Sequence, residues 1–213
     1  MELHTIYKYL PIDFANRLVH LGNLKIGTLF DYKNIEEFGS EIGDQDEGIS
    51  IEFSHDKEAK TGDKLNPLES AAIKAGPGMI VMGNYIERRH LSPNLYLFCA
   101  SLSYDISILK KLNKDYPGDK YDACVRITNL KSFIEEVSTA LSDKGLFIGC
   151  SKCAYIDRKF HYTENRPHPA TIKDPRYSYQ KEVRLIWEPK DKKSHIEPEY
   201  LTITNIKKNC SLC

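Results

Sequence analysis

Short runs of alternating or clustered apolar residues recur along the chain, and this pattern is typical of β-strands. It predicts strands over residues 5–10, 24–30, 49–53, 79–82, 95–101, 121–128, 146–149, 154–156, 180–187 and 200–206. Apolar residues spaced three or four positions apart predict helices over 14–21, 102–114 and 130–141, with Asp13 and Asn129 as N-caps of the first and the last. A further short helix fits between Pro67 and Ala75.

The predicted strands and helices do not alternate as they would in a parallel βαβ array. Their order instead predicts an α+β fold, with a mostly antiparallel, twisted or split β-sheet and three to four flanking helices. Residues 1–213 contain no internal repeat and no low-complexity linker, so we expect a single domain. Two segments are predicted to be loops: the acidic stretch 31–48, expected to be solvated, and the proline-rich stretch 161–178.

Composition narrows the function classes only slightly. Hydrophobic residues make up 41% of the chain and charged residues 28%, which is an ordinary globular composition. Lys and Arg together number 30, as do Asp and Glu, so net charge favours neither nucleic acid nor an anionic membrane as a partner. No apolar run approaches the length of a membrane span, and the first residues do not resemble a signal peptide. We therefore expect a cytoplasmic protein without a membrane partner.

Four of the six cysteines form two Cys-x-x-Cys pairs, Cys150 with Cys153 and Cys210 with Cys213. In a cytoplasmic chain such pairs favour a metal or redox role over structural disulfides, and four thiolates are a common ligand set for zinc. The long gap between the pairs, and the position of the second pair at the last residues, weaken the zinc hypothesis. Incidental thiols are the alternative.

The strand over 180–187 is the strongest candidate for chemistry. Alternation places three apolar side chains on a core face and a second set on the opposite face, namely Gln180, Glu182, Arg184 and Ile186. A carboxylate aimed into a cleft stabilises a developing oxocarbenium ion, and a glutamine beside it can hold a nucleophile. The pattern by itself favours a plainer interpretation, a solvent-facing strand with a Glu–Arg pair.

Two serines lie at and just after the end of the apolar strand over 95–101. Ser101 and Ser103 can point into one cleft, where they would bind phosphate or ribose oxygens or orient a carboxylate. The alternative is a strand-to-helix junction at which Ser103 or Asp105 caps the following helix.

Aromatic rings surround a lysine in the first strand. Tyr7, Lys8 and Tyr9 can stack a flat ring and hold a phosphate, and Tyr32 offers a further ring. An amphipathic edge strand and an ordinary core ring are the alternatives.

The order of these segments resembles two groups of proteins. Ile6–Tyr9, Phe98–Ser101 and Tyr179–Arg184 are similar to the "YKY", "CFS"-like and "Y-x-x-E-x-R" strands of a widespread bacterial family of uncharacterised proteins. The same order resembles the ADP-ribosyltransferase fold, in which a basic or aromatic first strand, an S-x-S strand and a Q/E-x-E strand line one NAD cleft. Lys8 stands where that fold has Arg or His, and Ser101-Leu-Ser103 lacks the usual central threonine.

This resemblance implies an NAD-dependent ADP-ribosyltransferase-like enzyme, which transfers ADP-ribose to a protein or nucleic-acid acceptor or hydrolyses NAD. Glu182 would stabilise the ribosyl cation and Gln180 would position the acceptor. The other residues would hold NAD, which is the substrate: Lys8 at the pyrophosphate, Ser101 or Ser103 at the ribose or Glu182, and Tyr7, Tyr9 or Tyr32 on the nicotinamide.

The resemblance also implies a biological setting, a bacterial or phage toxin or defence effector with an antitoxin or immunity partner. Alternatives from a different class are a non-enzymatic module that binds nucleic acid or protein through its lysine clusters, and an interaction domain stapled by zinc.

Overall fold

The computed structural model of the protein describes residues 4–33, 44–60, 80–114, 120–191 and 195–213, with backbone alone at 55–60 and 80–85. In this part of the chain the α-helices are α1 (Ile12–Leu21), α2 (Ile106–Leu112) and α3 (Leu130–Ala140). The strands are β1 (Ile6–Leu10), β2 (Asn23–Thr28), β3 (Ile49–Lys60), β4 (Ile80–Leu91), β5 (Tyr96–Ser101), β6 (Ala123–Ile127), β7 (Gly145–Lys152), β8 (Ala154–Tyr155), β9 (Lys159–His161), β10 (Ile172–Lys173), β11 (Glu182–Pro189), β12 (Glu199–Thr202) and β13 (Cys210–Leu212).

The main sheet has eight strands and forks at β5. One edge of β5 pairs along its length with β11, which pairs in turn with β7. The other edge is shared, because β2 pairs with Tyr96 and Leu97 while β1 pairs with Ser101. From there the sheet continues as β1–β6–β13 on one side and as β2–β12 on the other. A gap therefore opens between β1 and β2, beside the middle of β5.

Two smaller sheets complete the fold. β3 and β4 form a long antiparallel pair, with β9 parallel to β3. β8 and β10 form a short parallel pair, in which Lys173 lies opposite Tyr155. The predicted class, α+β with a mostly antiparallel and split sheet, is confirmed.

The largest core cluster lies between the main sheet and helices α1 and α3. Val183, Leu185 and Trp187 of β11 all belong to it, as the alternation of the strand predicts. Phe98 of β5 packs on Phe133 of α3, with ring centroids 5.3 Å apart. The opposite face of β11 is also covered, because Ile186 belongs to a second buried cluster. Polar side chains on that face therefore lie inside the protein.

Helix boundaries depend on distant residues as well as on local sequence. α1 begins at Ile12 rather than Phe14, and Asp13 lies in its first turn instead of capping it. The cap comes from Asp122, whose carboxylate accepts the Ile12 N–H at 2.7 Å. The predicted cap of α3 is confirmed, because Asn129 accepts from a backbone N–H of the first turn at 3.4 Å.

Several predicted elements end in different places. The strand predicted over 200–206 stops at Thr202, and a 3-10 helix (Thr204–Asn209) leads into β13. The loop predicted over 161–178 contains β10 and two 3-10 segments, Pro169–Thr171 and the first part of Pro175–Gln180. The helix predicted between Pro67 and Ala75 lies outside the described residues. Within the described residues, no helix has both the length and the apolar character needed to span a membrane.

Gln180 is not on the same strand as Glu182. Residues Pro175–Gln180 form a 3-10 helix, Lys181 has a left-handed backbone with φ 46°, and β11 begins only at Glu182. The predicted alternation therefore does not apply to Gln180. Its side chain reaches Glu182 by another route, through Lys173.

Candidate functional site

A cavity of about 450 Å³ lies at the fork of the sheet, and this volume is in the usual range for small-molecule sites. Its walls include seven of the eight residues predicted to be catalytic or to contact NAD: Tyr7, Lys8, Tyr9, Tyr32, Ser101, Gln180 and Glu182. Five charged residues that the sequence did not single out as binding groups also line it: Arg17, Lys25, Glu47, Lys173 and Arg184.

The three sequence motifs lie on neighbouring strands in one row. In the pairing of β1 with β5, Tyr7 is opposite Ser101. In the pairing of β5 with β11, Ser101 is opposite Glu182. The order β11–β5–β1 thus places the carboxylate, the serine and the aromatic strand side by side, although 81 residues separate Ser101 from Glu182 in the sequence.

Glu182 is the centre of a buried ion network. Its Oε2 accepts from Lys173 Nζ at 2.6 Å, and its Oε1 accepts from Arg184 Nε at 2.6 Å. Lys173 Nζ also donates to Gln180 Oε1 at 2.6 Å. Arg184 Nη1 donates to Glu47 Oε1 at 2.7 Å. Both cations and both carboxylates are at least 90% buried, so each charge is compensated by a close partner.

These contacts fix the protonation state of the site. Burial alone would raise the pKa of Glu182, but the adjacent Arg184 and Lys173 outweigh it and hold this pKa well below its usual range. Burial alone would lower the pKa of Lys173, but the facing Glu182 carboxylate raises it above its usual range. Glu182 is therefore a carboxylate, and Lys173 an ammonium, at neutral pH.

The short parallel pair β8–β10 holds the network in place. It carries Lys173 on one strand and, opposite it, Tyr155, whose hydroxyl accepts the Glu182 N–H at 2.5 Å. Arg184 Nη1 is held by the Ala170 carbonyl at 2.5 Å. The geometry of the site thus depends on a two-residue strand whose sequence carries no clear strand signal.

Lys8 of β1 enters the cavity at the gap between β1 and β2. Its Nζ donates at 2.7 Å to the carbonyl of Cys99, which lies where β5 is paired with β11 on one edge but with neither β1 nor β2 on the other. The same ammonium lies 5.1 Å from the centroid of the Phe98 ring. No acidic side chain forms a salt bridge with it among the described residues. Burial lowers the pKa of Lys8, only partly opposed by the charges of Cys99 and Glu182.

The three tyrosines differ in how much of each side chain remains available to contact a ligand. The Tyr9 hydroxyl accepts the Asp105 N–H at 2.7 Å and shares its one proton between the carbonyls of Ser103 and Asp105, at 3.1 and 3.2 Å. Burial raises the pKa of Tyr9 to about 12. Tyr32 lies against Gly27, where a Cβ atom would come within 3.1 Å of its ring, and burial raises its pKa well above 10. Tyr7 packs beside Tyr104, with ring centroids 6.2 Å apart.

The two serines of the S-x-S segment differ in their position relative to the cavity. Ser101 lines the cavity, but its Oγ donates to the Ser103 carbonyl at 3.0 Å and so closes a local turn. Ser103 is not among the residues that line the cavity. Asp105 caps α2, accepting from the Ser107 N–H at 2.8 Å, which was the alternative interpretation.

Glu47 lies in the acidic stretch that was predicted to be a solvated loop, and that prediction is wrong for Asp44 and Glu47. Both are buried, at 4% and 0% exposure. Asp44 forms an ion pair with Arg158, and Glu47 pairs with Arg184. A buried arginine on β11 requires acidic partners, but a sequence does not show which acid the fold brings to it.

The two Cys-x-x-Cys pairs do not meet. Cys150 lies on β7 and Cys210 on β13, at opposite ends of the strand order β7–β11–β5–β1–β6–β13. Five strand spacings separate them, about 24 Å along the sheet, so the strand order does not bring the four thiols together. Among the described residues, no group of three or more His, Cys, Asp or Glu side chains is placed to hold a metal ion.

The charge of the cavity wall is predominantly positive. Two carboxylates, Glu47 and Glu182, face five basic side chains: Lys8, Arg17, Lys25, Lys173 and Arg184. Aromatic rings line the same space, among them Tyr7, Tyr32 and Phe98. A wall with excess positive charge and aromatic faces suits a ligand that combines a flat ring with an anionic group.

Comparisons of the chain with protein-family models, curated protein sequences and solved structures find no match.

Proposed function

We propose that the cavity binds NAD and that the protein is an NAD-dependent ADP-ribosyltransferase-like enzyme, which transfers ADP-ribose to a protein or nucleic-acid acceptor or to water. The observation that carries the proposal is the row Tyr7–Ser101–Glu182 across three adjacent strands, at the wall of a positively charged and aromatic cavity. Short motifs that matched by chance would not be expected to lie in one row at the wall of one cavity.

The reaction breaks the bond between the nicotinamide nitrogen and C1′ of the ribose. The bonding electron pair leaves with nicotinamide, which becomes neutral, and positive charge develops on the ribose. A hydroxyl or amine of the acceptor, or water, then bonds to C1′ and loses a proton to solvent. Glu182 suits this step because it is ionised and held rigidly, and a fixed carboxylate stabilises positive charge that develops beside it.

The other groups have separate roles in this proposal. Lys8, whose ammonium has no salt-bridge partner among the described side chains, would bind the pyrophosphate. Gln180 keeps the Lys173 ammonium directed at Glu182 by sharing it. Tyr7 and Tyr32 would flank the flat rings.

The test measures nicotinamide released from NAD by the purified protein, alone and with protein, RNA or DNA as acceptor. Glu182→Gln is expected to slow release by about 100-fold or more, because it removes the charge opposite the ribosyl cation. Glu87→Gln is the matched control, since Glu87 forms an exposed ion pair with Lys159 away from the cavity. Both variants are assayed at a temperature where thermal unfolding shows them folded. Absence of release by the wild-type protein with every acceptor contradicts the proposal.

One observation favours a second candidate, a non-enzymatic binding module. Both oxygens of Glu182 are already held, by Lys173 and Arg184, as in a purely structural ion network. A binding module would take up its ligand without nicotinamide release. If its partner is a nucleic acid, its affinity would fall steeply with salt and respond to exposed cations such as Arg89 and Lys110, but not to Glu182→Gln.

A further inference from the structure

We propose that Glu47 determines which ligand this cavity accepts, by receiving a hydrogen bond from a ribose hydroxyl at its Oε2 atom. The inference rests on the proposed function for its ligand class, a ribose-bearing nucleotide. It adds a residue that lies in none of the three motifs.

The two carboxylates of the cavity differ in their free acceptor capacity. Both oxygens of Glu182 receive a charged donor at 2.6 Å. Glu47 is different, because only its Oε1 is bound, by Arg184 Nη1 at 2.7 Å. Its Oε2 has no hydrogen-bond partner among the described residues. Glu47 contributes to the cavity wall, but this oxygen is enclosed by protein, so a ligand donor reaches it by displacing a neighbouring side chain. A buried carboxylate oxygen without a donor is costly, and a donor brought by a ligand relieves that cost.

The surroundings select a neutral donor. An anionic group placed at Glu47 would be repelled by the carboxylate, and a cationic group there would lie beside the Arg184 guanidinium, which already pairs with Glu47. Neutral O–H and N–H groups remain. Aromatic rings along the wall suit the flat parts of a nucleotide, which leaves the sugar hydroxyls as the donors for Glu47.

Glu47 is held firmly enough to discriminate between ligands. Its N–H donates to the Asp44 carbonyl at 2.9 Å, and Asp44 is itself anchored by the ion pair with Arg158. The next residue, Gly48, has φ +72°, and its carbonyl accepts from the Ser92 N–H at 2.9 Å. A Cβ atom at Gly48 would lie 2.7 Å from the Leu29 side chain, so the turn is tightly packed. A fixed acceptor distinguishes a ligand with the matching hydroxyl from one without it.

The experiment measures binding of ADP-ribose, a stable product of the proposed reaction, by calorimetry. Four analogues, each lacking the 2′ or the 3′ hydroxyl of one of its two riboses, are titrated in parallel. For the wild-type protein, one of these analogues is expected to bind about 10- to 100-fold more weakly, as for loss of a hydrogen bond to a charged group. Glu47→Gln should bind ADP-ribose more weakly by a similar factor and should no longer distinguish that analogue.

Glu87→Gln serves as the control and should retain the wild-type discrimination, because its ion pair with Lys159 is exposed. If thermal unfolding shows that Glu47→Gln does not fold, Glu47→Asp replaces it, since aspartate keeps the charge beside Arg184 but withdraws the second oxygen. Equal binding of all four analogues by the wild-type protein overturns the inference, as does a Glu47 variant that still discriminates. Failure of the wild-type protein to bind ADP-ribose overturns it as well.

The outcomes separate this inference from the proposed enzyme. If the protein releases nicotinamide but binds all four analogues equally, the role of Glu47 is contradicted and the proposed enzyme activity is supported. If binding depends on one hydroxyl but no nicotinamide is released, the proposed enzyme activity is contradicted and Glu47 remains the residue that recognises the ligand.

Discussion

Lys8 illustrates how one buried side chain can oppose stability and support function at once. Its ammonium is enclosed beside Phe98, and its hydrogen bond is to the neutral Cys99 carbonyl rather than to an acid. A buried ammonium without a counter-charge destabilises the folded state, and its lowered pKa reports that cost. The same uncompensated charge is the feature of the cavity that best suits a phosphate.

We expect Lys8→Met to raise the free energy of unfolding at pH 7, by on the order of 1 kcal/mol, because it removes the buried charge and keeps the apolar stem. The folded pKa of Lys8 is lower than its unfolded value of 10.5. Its cost is therefore full below the folded pKa and disappears as pH rises through that pKa towards 10.5, so the advantage of the variant should shrink at alkaline pH. Denaturant unfolding at several pH values measures this.

The same variant should bind ADP-ribose at least about tenfold more weakly, since a charge-assisted hydrogen bond to phosphate is lost. Lys131→Met, at an exposed position on α3, is the control for both measurements. Unchanged affinity in Lys8→Met would show that the anion is held elsewhere.

Acid stability should depend on Glu182. Its folded pKa is depressed by Arg184 and Lys173, so its contribution is fully present above the unfolded value of about 4.5 and is lost as pH falls through the folded pKa. Glu182→Gln should be destabilised by about 3–5 kcal/mol at pH 7, because it leaves two buried cations without their shared partner. Below pH 4.5 the unfolding temperatures of the two proteins should converge. Parallel curves would contradict the ionised state assigned to Glu182.

At the scale of elements, the sequence predicts strands whose own residues alternate between apolar and polar. It does not predict strands that form only because distant residues pair with them. Val183, Leu185 and Trp187 are core residues, as alternation predicts, because one face of β11 packs on helices. Gln180 reaches Glu182 although its strand assignment is wrong, because Lys173 bridges them. The roles of Lys173 and Glu47 could not be predicted from the sequence. Lys173 lies on a short strand pair and Glu47 in a turn, and only the folded chain brings them beside Glu182 and Arg184.

The junction of α1 with β2 gives a prediction at this scale. Gly22 ends α1 with φ +75°, and a Cβ atom there would lie 2.1 Å from the Ile203 carbonyl oxygen. Gly22→Ala should lower the free energy of unfolding by at least about 2 kcal/mol, from the left-handed backbone and the collision with backbone atoms together. Gly149→Ala on β7 is the matched control and should change stability little, because nothing lies within 4 Å of its Cβ position. Equal effects in the two variants would contradict the close approach at Gly22.

At the scale of the whole molecule, the strand order of the main sheet separates the two Cys-x-x-Cys pairs, and its fork determines where the cavity forms. The order β7–β11–β5–β1–β6–β13 places the two Cys-x-x-Cys pairs at opposite ends. The split between β1 and β2 leaves the middle of β5 open and creates the cavity. The α+β class was predictable from the pattern of elements, whereas the position of the fork depends on pairings between residues far apart in the sequence.

We therefore expect that a chelator will leave the unfolding temperature unchanged and that the purified protein will contain less than about half an equivalent of zinc, since a four-cysteine structural site would be filled. Elemental analysis and thermal unfolding with and without chelator measure this. A full equivalent of zinc whose removal lowers the unfolding temperature would contradict this expectation. Cys150→Ser and Cys210→Ser, each alone, would then show which pair binds the metal.

The position of β1 in the middle of the main sheet also sets the order of events during synthesis. Tyr7 pairs with Ser101, Ile6 pairs with Ile127, and the cap of α1 comes from Asp122. A ribosome adding roughly 5–20 residues per second leaves these first elements without partners for on the order of ten seconds. During that interval the apolar side of β1 is exposed in the nascent chain. We expect this protein to be shielded by chaperones while it is made, and its yield in a cell-free translation system to rise when a nascent-chain chaperone is added.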